Sequence, residues 1–286
     1  MSVPAVSVVI ASYNHRPWIV ESIQSVLAQR GLDFELIVID DGSSDGSEQV
    51  IAPLAAEHQF HFEQQPNMGL ARTLNKALGL ARGRYFAPFG SDDRMRPGRL
   101  ALQQAHLDNH LELVISAGNI FKIDEHGQPL AAKKQRHYPA RELDFADVFL
   151  NRKPGAPAPT LLFRTEALRR VGGFNPEIRL EDLYIELKLT ESGGRIGILE
   201  DVLADYRIHG KNTYQNLRFM YENVSRTYSA FSQHPEYSQA RAAFLNSMLR
   251  KAMKRDRGVA KTVLADLGWK QLDYRNWLSA LSLLLR

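Results

Sequence analysis

Three apolar runs near the start of the chain constrain its fold more than any other feature: Val6 to Ala11, Phe34 to Ile39 and Tyr85 to Phe89. The first two are continuous and rich in Val and Ile, the pattern of strands buried on both faces of a parallel sheet. Helical spacing fills the gaps between them. Pro17 suits a first helical position, and Trp18, Ile19, Ile23, Val26 and Leu27 then recur on one face. Ser47 to His58 turns Val50, Ile51, Leu54 and Ala55 inward, and Gly69 to Ala81 does the same with Leu70, Leu74, Ala77 and Leu78 before Gly83 stops it. Strand and helix therefore alternate, which predicts an α/β fold: a mostly parallel sheet with right-handed connections and helices on both faces.

Beyond Pro97 the spacing predicts a helix to about His110 and a strand over Leu113 to Ile123, then a turn at EHGQ and the irregular stretch NRKPGAPAPT. From about Asn212 onward the chain reads as helices without strands. A boundary near residue 210 separates an α/β domain, 1–210, from a helical C-terminal extension, 211–286. With 44% hydrophobic residues in 286, a sizeable core can be buried. The absence of cysteine leaves carboxylate and imidazole as the available metal ligands. No N-terminal signal pattern is present and no apolar run reaches the ~18 residues of a spanning helix, so a cytoplasmic protein is expected.

Two of the strand-like runs end in paired acids, Asp40-Asp41 and Asp92-Asp93. Adjacent anions at a strand end are costly unless water, a basic group or a cation neutralises them. In open α/β sheets ligands bind at the carboxyl ends of the strands, so the two pairs suggest one acid-lined crevice. Neither G-x-G-x-x-G nor G-x-x-x-x-G-K-[ST] follows the first strand, where ASYN stands instead. A bound diphosphate would then need a divalent cation held on carboxylate, a task that Asp92 and Asp93 fit. The plainer reading of either pair is a helix N-cap and a solvated turn.

VSVVIASYN, SIQSVLAQ, FELIVIDDGSSDGS and NMGLARTLNKALGLARGRYFAPFGSDD occur in that order and together resemble glycosyltransferase family 2, whose members have the GT-A fold. Weaker echoes follow at LLFRTEALRRVGGFN, Glu181-Asp182 and YRIHG around His209. The helical tail lies outside the resemblance.

The resemblance implies an inverting, metal-dependent transfer of sugar from a nucleotide-diphosphate donor to a glycan or lipid-linked acceptor in surface polysaccharide synthesis. Ala11, Ser12 and Tyr13 would flank the nucleotide base, with the Tyr13 ring stacked on it. Asp41 would bond the base, and Asp40 would support the turn or the ribose. In Ser91-Asp92-Asp93, Ser91 replaces the family's more frequent leading Asp, which gives the Mn²⁺ or Mg²⁺ to Asp93 and the ribose or sugar to Asp92. Asp182 matches the general base, with Glu181 as fallback, and His209 is a candidate metal ligand. Each has a structural counterpart: a packed aromatic for Tyr13, first-turn helix charges for Glu181 and Asp182, and a core imidazole for His209. A noncatalytic nucleotide-sugar-binding or scaffold protein of the same fold is the rival of a different class. A sugar nucleotidylyltransferase would carry a Gly-rich basic loop where ASYN stands.

Arg241, Arg250, Lys251, Lys254, Arg255, Arg257 and Lys261 face the lone Asp256, and Trp277, Leu278, Leu281, Leu284 and Leu285 follow on one stripe. A basic segment before an amphipathic helix suits peripheral contact with an anionic membrane, here the inner face of the cell membrane, or packing on the protein itself. No reader motif supports nucleic-acid binding.

Overall fold

The computed structural model describes residues 3–210, 212–277 and 280. Leu278, Leu281, Leu284 and Leu285 of the apolar tail stripe lie outside them. The chain divides into two compact units, Met1–Val148 with Lys153–His209, and Phe149–Arg152 with Gly210–Arg286.

In the first unit β1 (Val6–Ser12), α1 (Arg16–Leu27), β2 (Phe34–Asp40), α2 (Ser47–His58), β3 (His61–Gln64), α3 (Leu70–Leu80) and β4 (Tyr85–Phe89) alternate as the apolar runs predict. They are followed by β5 (Arg94–Met95), α4 (Arg99–Asn109), β6 (Leu113–Ile123), β7 (Arg141–Leu143), α5 (Phe145–Phe149), β8 (Leu162–Arg164), α6 (Thr165–Arg170), α7 (Glu181–Glu191) and β9 (Arg195–Arg207). Among the described residues the strands form one sheet in the order β3-β2-β1-β4-β8-β6-β9-β5, with β7 on β9. The pairings give β1, β2, β3, β4, β6 and β9 one direction, and β5, β7 and β8 the other. The sheet is therefore mostly parallel.

Alternation along each strand divides the core. Val8 and Ile10 face α1, α2 and α4 together with Leu36, Val38, Ala87 and Phe89. Val9, Ile37, Ile39 and Phe86 face α3, α6 and α7 through Leu74, Leu78, Leu168, Ile185 and Leu189. Side chains on both sheet faces are buried, so these strands are mostly apolar, and two of their polar residues, Ser7 and Glu35, bond each other. Gly83 ends the turn before β4 because a Cβ there would collide with the backbone of Ser7, whose hydroxyl accepts from the Gly83 N–H at 2.8 Å.

Strand β9 is the element that the sequence pattern hides. Glu200 and Asp201 interrupt its apolar run, and both are exposed where its register with β6 shifts between Ala117 and Asn119. Strands β3, β5, β7 and β8 are too short to give a period. Because α7 leads from the carboxyl edge of the sheet back to the start of β9, its first turn lies at that edge, where β1, β2 and β4 also end.

The second unit is helical: α8 (Leu217–Ser229), α9 (Tyr237–Arg255) and α10 (Arg257–Leu267) pack around Leu245, Leu249, Val259, Val263 and Leu267. Asn216 caps α8 through the Phe219 N–H at 3.0 Å, and Asp256 caps α10 through the Val259 N–H at 3.0 Å. The lone acid of the basic stretch is thus a helix cap.

Candidate active site

Strand β1 delivers Ser12, β2 delivers Asp40 in register beside it, and β4 delivers Gly90 one residue past its end. Asp40 is fully buried. Its Oδ1 accepts from the Ser43 N–H at 2.8 Å, while its Oδ2 and the Ser12 hydroxyl are buried without a partner. Tyr13, by contrast, is 51% exposed. Asn14 holds the loop in a left-handed conformation at φ 54°. Its N–H donates to Ser43 Oγ at 2.8 Å, and its side-chain oxygen accepts from the Ser44 N–H at 2.9 Å.

Asp41 is buried and builds the loop before α3. It accepts from the N–H of Met68 at 2.9 Å, the N–H of Gly69 at 2.8 Å and Gln65 Nε2 at 2.8 Å. Gln65 is held in turn by Lys76, which also pairs with Glu63. Lys76 on α3 thereby anchors this chain of contacts.

Gly90 makes room for the acidic pair after β4, since a Cβ there would fall 2.6 Å from Asp93 Oδ2 and 3.0 Å from Asp92 Oδ1. The two carboxylates then diverge. Asp93 is 2% exposed and accepts from the Arg207 N–H at 2.8 Å. Burial, with the Asp92 charge added to it, holds the Asp93 carboxyl well above the usual carboxylate range. Arg207, also buried, donates to the Asp92 carbonyl at 2.7 Å and pairs with Glu21. Arg99, fully buried, is pushed down to about 9 by burial, an effect that the Asp93 charge opposes.

Asp92 faces two imidazoles. Its Oδ2 lies 2.8 Å from His209 Nε2, and nitrogens of His15 and His209 and an oxygen of Asp92 all fall within 4.8 Å of one another. Burial opposes the Asp92 charge, but the His209 hydrogen bond and the two rings outweigh it and leave the carboxyl below its usual value. Ser91 Oγ meets His15 Nδ1 at 2.7 Å, and Trp18 stacks on His209 with centroids 4.2 Å apart.

At the same edge of the sheet, α7 opens with Glu181 and Asp182. Asp182 Oδ1 accepts from the Leu183 N–H at 2.7 Å. Both side chains keep some contact with solvent but lie deep among protein atoms. Burial, and then the neighbouring Asp182, pushes Glu181 up to about 8, and burial also raises Asp182.

Residues 7–172, more than half of the chain, match Glycosyl transferase family 2. The chain belongs to this family. It is therefore a glycosyltransferase, 29% identical over 221 residues to the putative teichuronic acid biosynthesis glycosyltransferase TuaG of Bacillus subtilis, an alignment covering 74% of this chain and 82% of TuaG. Its fold is that of GT-A glycosyltransferases. The S. aureus TarS fragment 1–349 in complex with UDP-GlcNAc superposes with a TM-score of 0.66 at 19% identity, over 98% of this chain and 79% of that one. The mannosyltransferase PcManGT of Pyrobaculum calidifontis, in complex with GDP-Man and Mn2+, gives a TM-score of 0.65 at 18% identity, over 100% and 86%.

Sequence reasoning missed three residues that the fold gathers around Asp92 and Asp93: His15, Trp18 and Arg207. His15 stood in the open as the last letter of SYNH. Trp18 was assigned to the apolar face of α1, and Arg207 lies on the strand that the pattern hid.

Proposed function

We propose that this glycosyltransferase moves a monosaccharide, with inversion, from a nucleotide-diphosphate sugar to a hydroxyl of a glycan or lipid-linked acceptor. The observation that carries the reading is the convergence of His15, Asp92 and His209 at the carboxyl edge of the sheet, beside the ends of β1 and β4. Their two imidazoles and one carboxylate form a donor set that suits Mn²⁺ better than Mg²⁺, which prefers oxygen alone. Asp92 and His209 would hold the ion, with His15 as third ligand. Such an ion, when bound, stabilises the charge developing on the departing diphosphate.

This moves the cation from Asp93, where the motif alone put it, to Asp92. Asp93 fixes β9 through the Arg207 N–H and so sets the position of His209 two residues on. The exposed Tyr13 ring is free to stack on a base. Asp41 has three of about four acceptor positions filled by the protein, which leaves room for one bond to a ligand. Ala11, Ser12 and Asp40 shape the floor beneath it.

Asp182 is the proposed base. It takes the acceptor proton as the oxygen attacks the anomeric carbon on the face opposite the diphosphate, and a single displacement inverts that centre. A raised carboxyl is better suited to this task than an ordinary one, because its proton affinity approaches working pH. Glu181, pushed up to about 8 by burial and then by Asp182, favours its neutral form and leaves the negative charge to its neighbour.

The TuaG likeness supports a role in surface polysaccharide synthesis. No helix among the described residues is long and apolar enough to cross a membrane. In the second unit Lys251, Lys254, Arg257 and Lys261 are exposed near Trp269, Tyr274 and Trp277 in sequence, a composition that fits peripheral contact with anionic lipid at the inner face of the cell membrane.

The test is a panel of UDP-, GDP- and dTDP-sugars with Mn²⁺, followed by hydrolysis, transfer and calorimetry. Asp92→Ala should abolish Mn²⁺-dependent donor affinity. Asp182→Asn should keep that affinity and cut turnover at least ~10²-fold. Unchanged Mn²⁺ dependence in the first variant, or near-normal turnover in the second, refutes the corresponding role.

A further inference from the structure

One buried acid is left out of this chemistry. Glu186 lies on α7 one helical turn beyond Asp182, and residues four apart share a helix face. It is 5% exposed, and its carboxyl makes no hydrogen bond or ion pair with any described residue. Its neighbours are accounted for: Ile185 and Leu189 enter the core, and Thr190 Oγ1 donates to the Glu186 carbonyl at 2.7 Å. Among the described residues nothing satisfies the Glu186 carboxyl.

Burial, and then the Asp182 charge, keeps this carboxyl well above the usual range, which favours its neutral form. A buried polar group without a partner costs roughly 1–3 kcal/mol. A neutral carboxylic acid offers one donor and spare acceptor sites, the same complement as a sugar hydroxyl.

We propose that Glu186 is a substrate-recognition residue whose carboxyl exchanges hydrogen bonds with a hydroxyl of a sugar held against the Asp182 face of α7. This inference rests on the reading of Asp182 as the base of a sugar-transfer crevice. It makes the enzyme selective for a sugar bearing that hydroxyl over the deoxy analogue, because the analogue leaves the carboxyl unpaired. Sites built to bond a substrate hydroxyl reject the analogue lacking it by up to ~10⁴–10⁵-fold.

The experiment compares the wild type with Glu186→Met, which keeps the volume and removes the polar group, and Glu186→Gln, which keeps a donor and an acceptor. The nucleotide sugar turned over fastest in the UDP-, GDP- and dTDP-hexose panel is assayed against its mono-deoxy analogues, for hydrolysis without acceptor and for transfer. The Met variant should melt at or above the wild-type temperature, since it buries no unpaired group. Its kcat/KM should fall at least ~10²-fold and its preference over one deoxy analogue should collapse, while the Gln variant stays within about tenfold. Loss already present in hydrolysis assigns the hydroxyl to the donor sugar, and loss confined to transfer assigns it to the acceptor.

An active Met variant with intact discrimination overturns the inference alone. So does a wild type that accepts every mono-deoxy donor and acceptor within about tenfold of the parent, a result that needs no variant to fold. A wild type inert towards every donor removes the underlying reading, and the inference with it.

Discussion

Glu181 allows the acidic cluster on α7 to be tested without any substrate. In the folded chain its carboxyl is raised from the ordinary 4.5 to about 8, by burial and then by Asp182. Between those values the folded state binds more protons than the unfolded one. Stability therefore falls as pH rises across that window and is level on either side of it. Each tenfold change in proton affinity is worth about 1.4 kcal/mol, which sets a ceiling of about 5 kcal/mol. Partial solvent contact screens the charge, and Asp182 shares the titration, so the part belonging to Glu181 should be about 1–3 kcal/mol.

Glu181→Gln fixes the neutral form at every pH. Below about pH 4 the variant and the wild type should melt together, because the wild-type position is then uncharged in the folded and unfolded states alike. At about pH 9 the wild type must carry the buried charge and the variant does not. With about 2–4 °C per kcal/mol for a unit of this size, the variant should melt roughly 2–12 °C higher by scanning calorimetry. A difference that does not change with pH, or a wild type that is the more stable at pH 9, would show that Glu181 has a compensating cation and would refute the reasoning.

Two further outcomes follow from the geometry. Gly90→Ala places a Cβ 2.6 Å from Asp93 Oδ2 and 3.0 Å from Asp92 Oδ1, so both carboxylates must shift; Mn²⁺-dependent donor affinity measured by calorimetry should fall at least ~10-fold, with a small change in melting temperature. Reversing Lys251, Lys254, Arg257 and Lys261 to Glu should abolish sedimentation with vesicles containing phosphatidylserine and leave soluble turnover intact; a wild type that never sediments with them ends the membrane proposal.

The parallel sheet was legible because β1, β2 and β4 are buried on both faces and are therefore apolar at most positions. The same physics conceals β9, where Glu200 and Asp201 occupy an exposed register shift in the middle of the strand. Missing β9 also cost Arg207, the residue through which the structure sorts the two acids after β4. His15 was legible as a residue but not as part of a site, since nothing in SYNH records that the loop reaches a histidine far along the chain. Glu186 gave no signal at all: amid EDLYIELK an acid reads as a solvated helix position, and only its burial distinguishes it.

The acidic pair at the end of β4 shows why a motif specifies less than a fold. Two consecutive residues leaving a strand send their side chains in different directions, so one can face a crevice while the other faces protein. The inward acid then needs internal partners, and Asp93 has the Arg207 N–H and the nearby Arg99 charge. The outward acid is free to meet ligands, and Asp92 meets two imidazoles. Asp40 and Asp41 go further: both are buried, and their carboxylates hold the Ser43 turn and the loop before α3. Substituting such acids disturbs the loop geometry as well as any ligand contact. Loss of donor affinity in an Asp41 or Asp93 variant therefore does not by itself place that residue against the donor, whereas the same loss in an Asp92 or His209 variant of unchanged stability does.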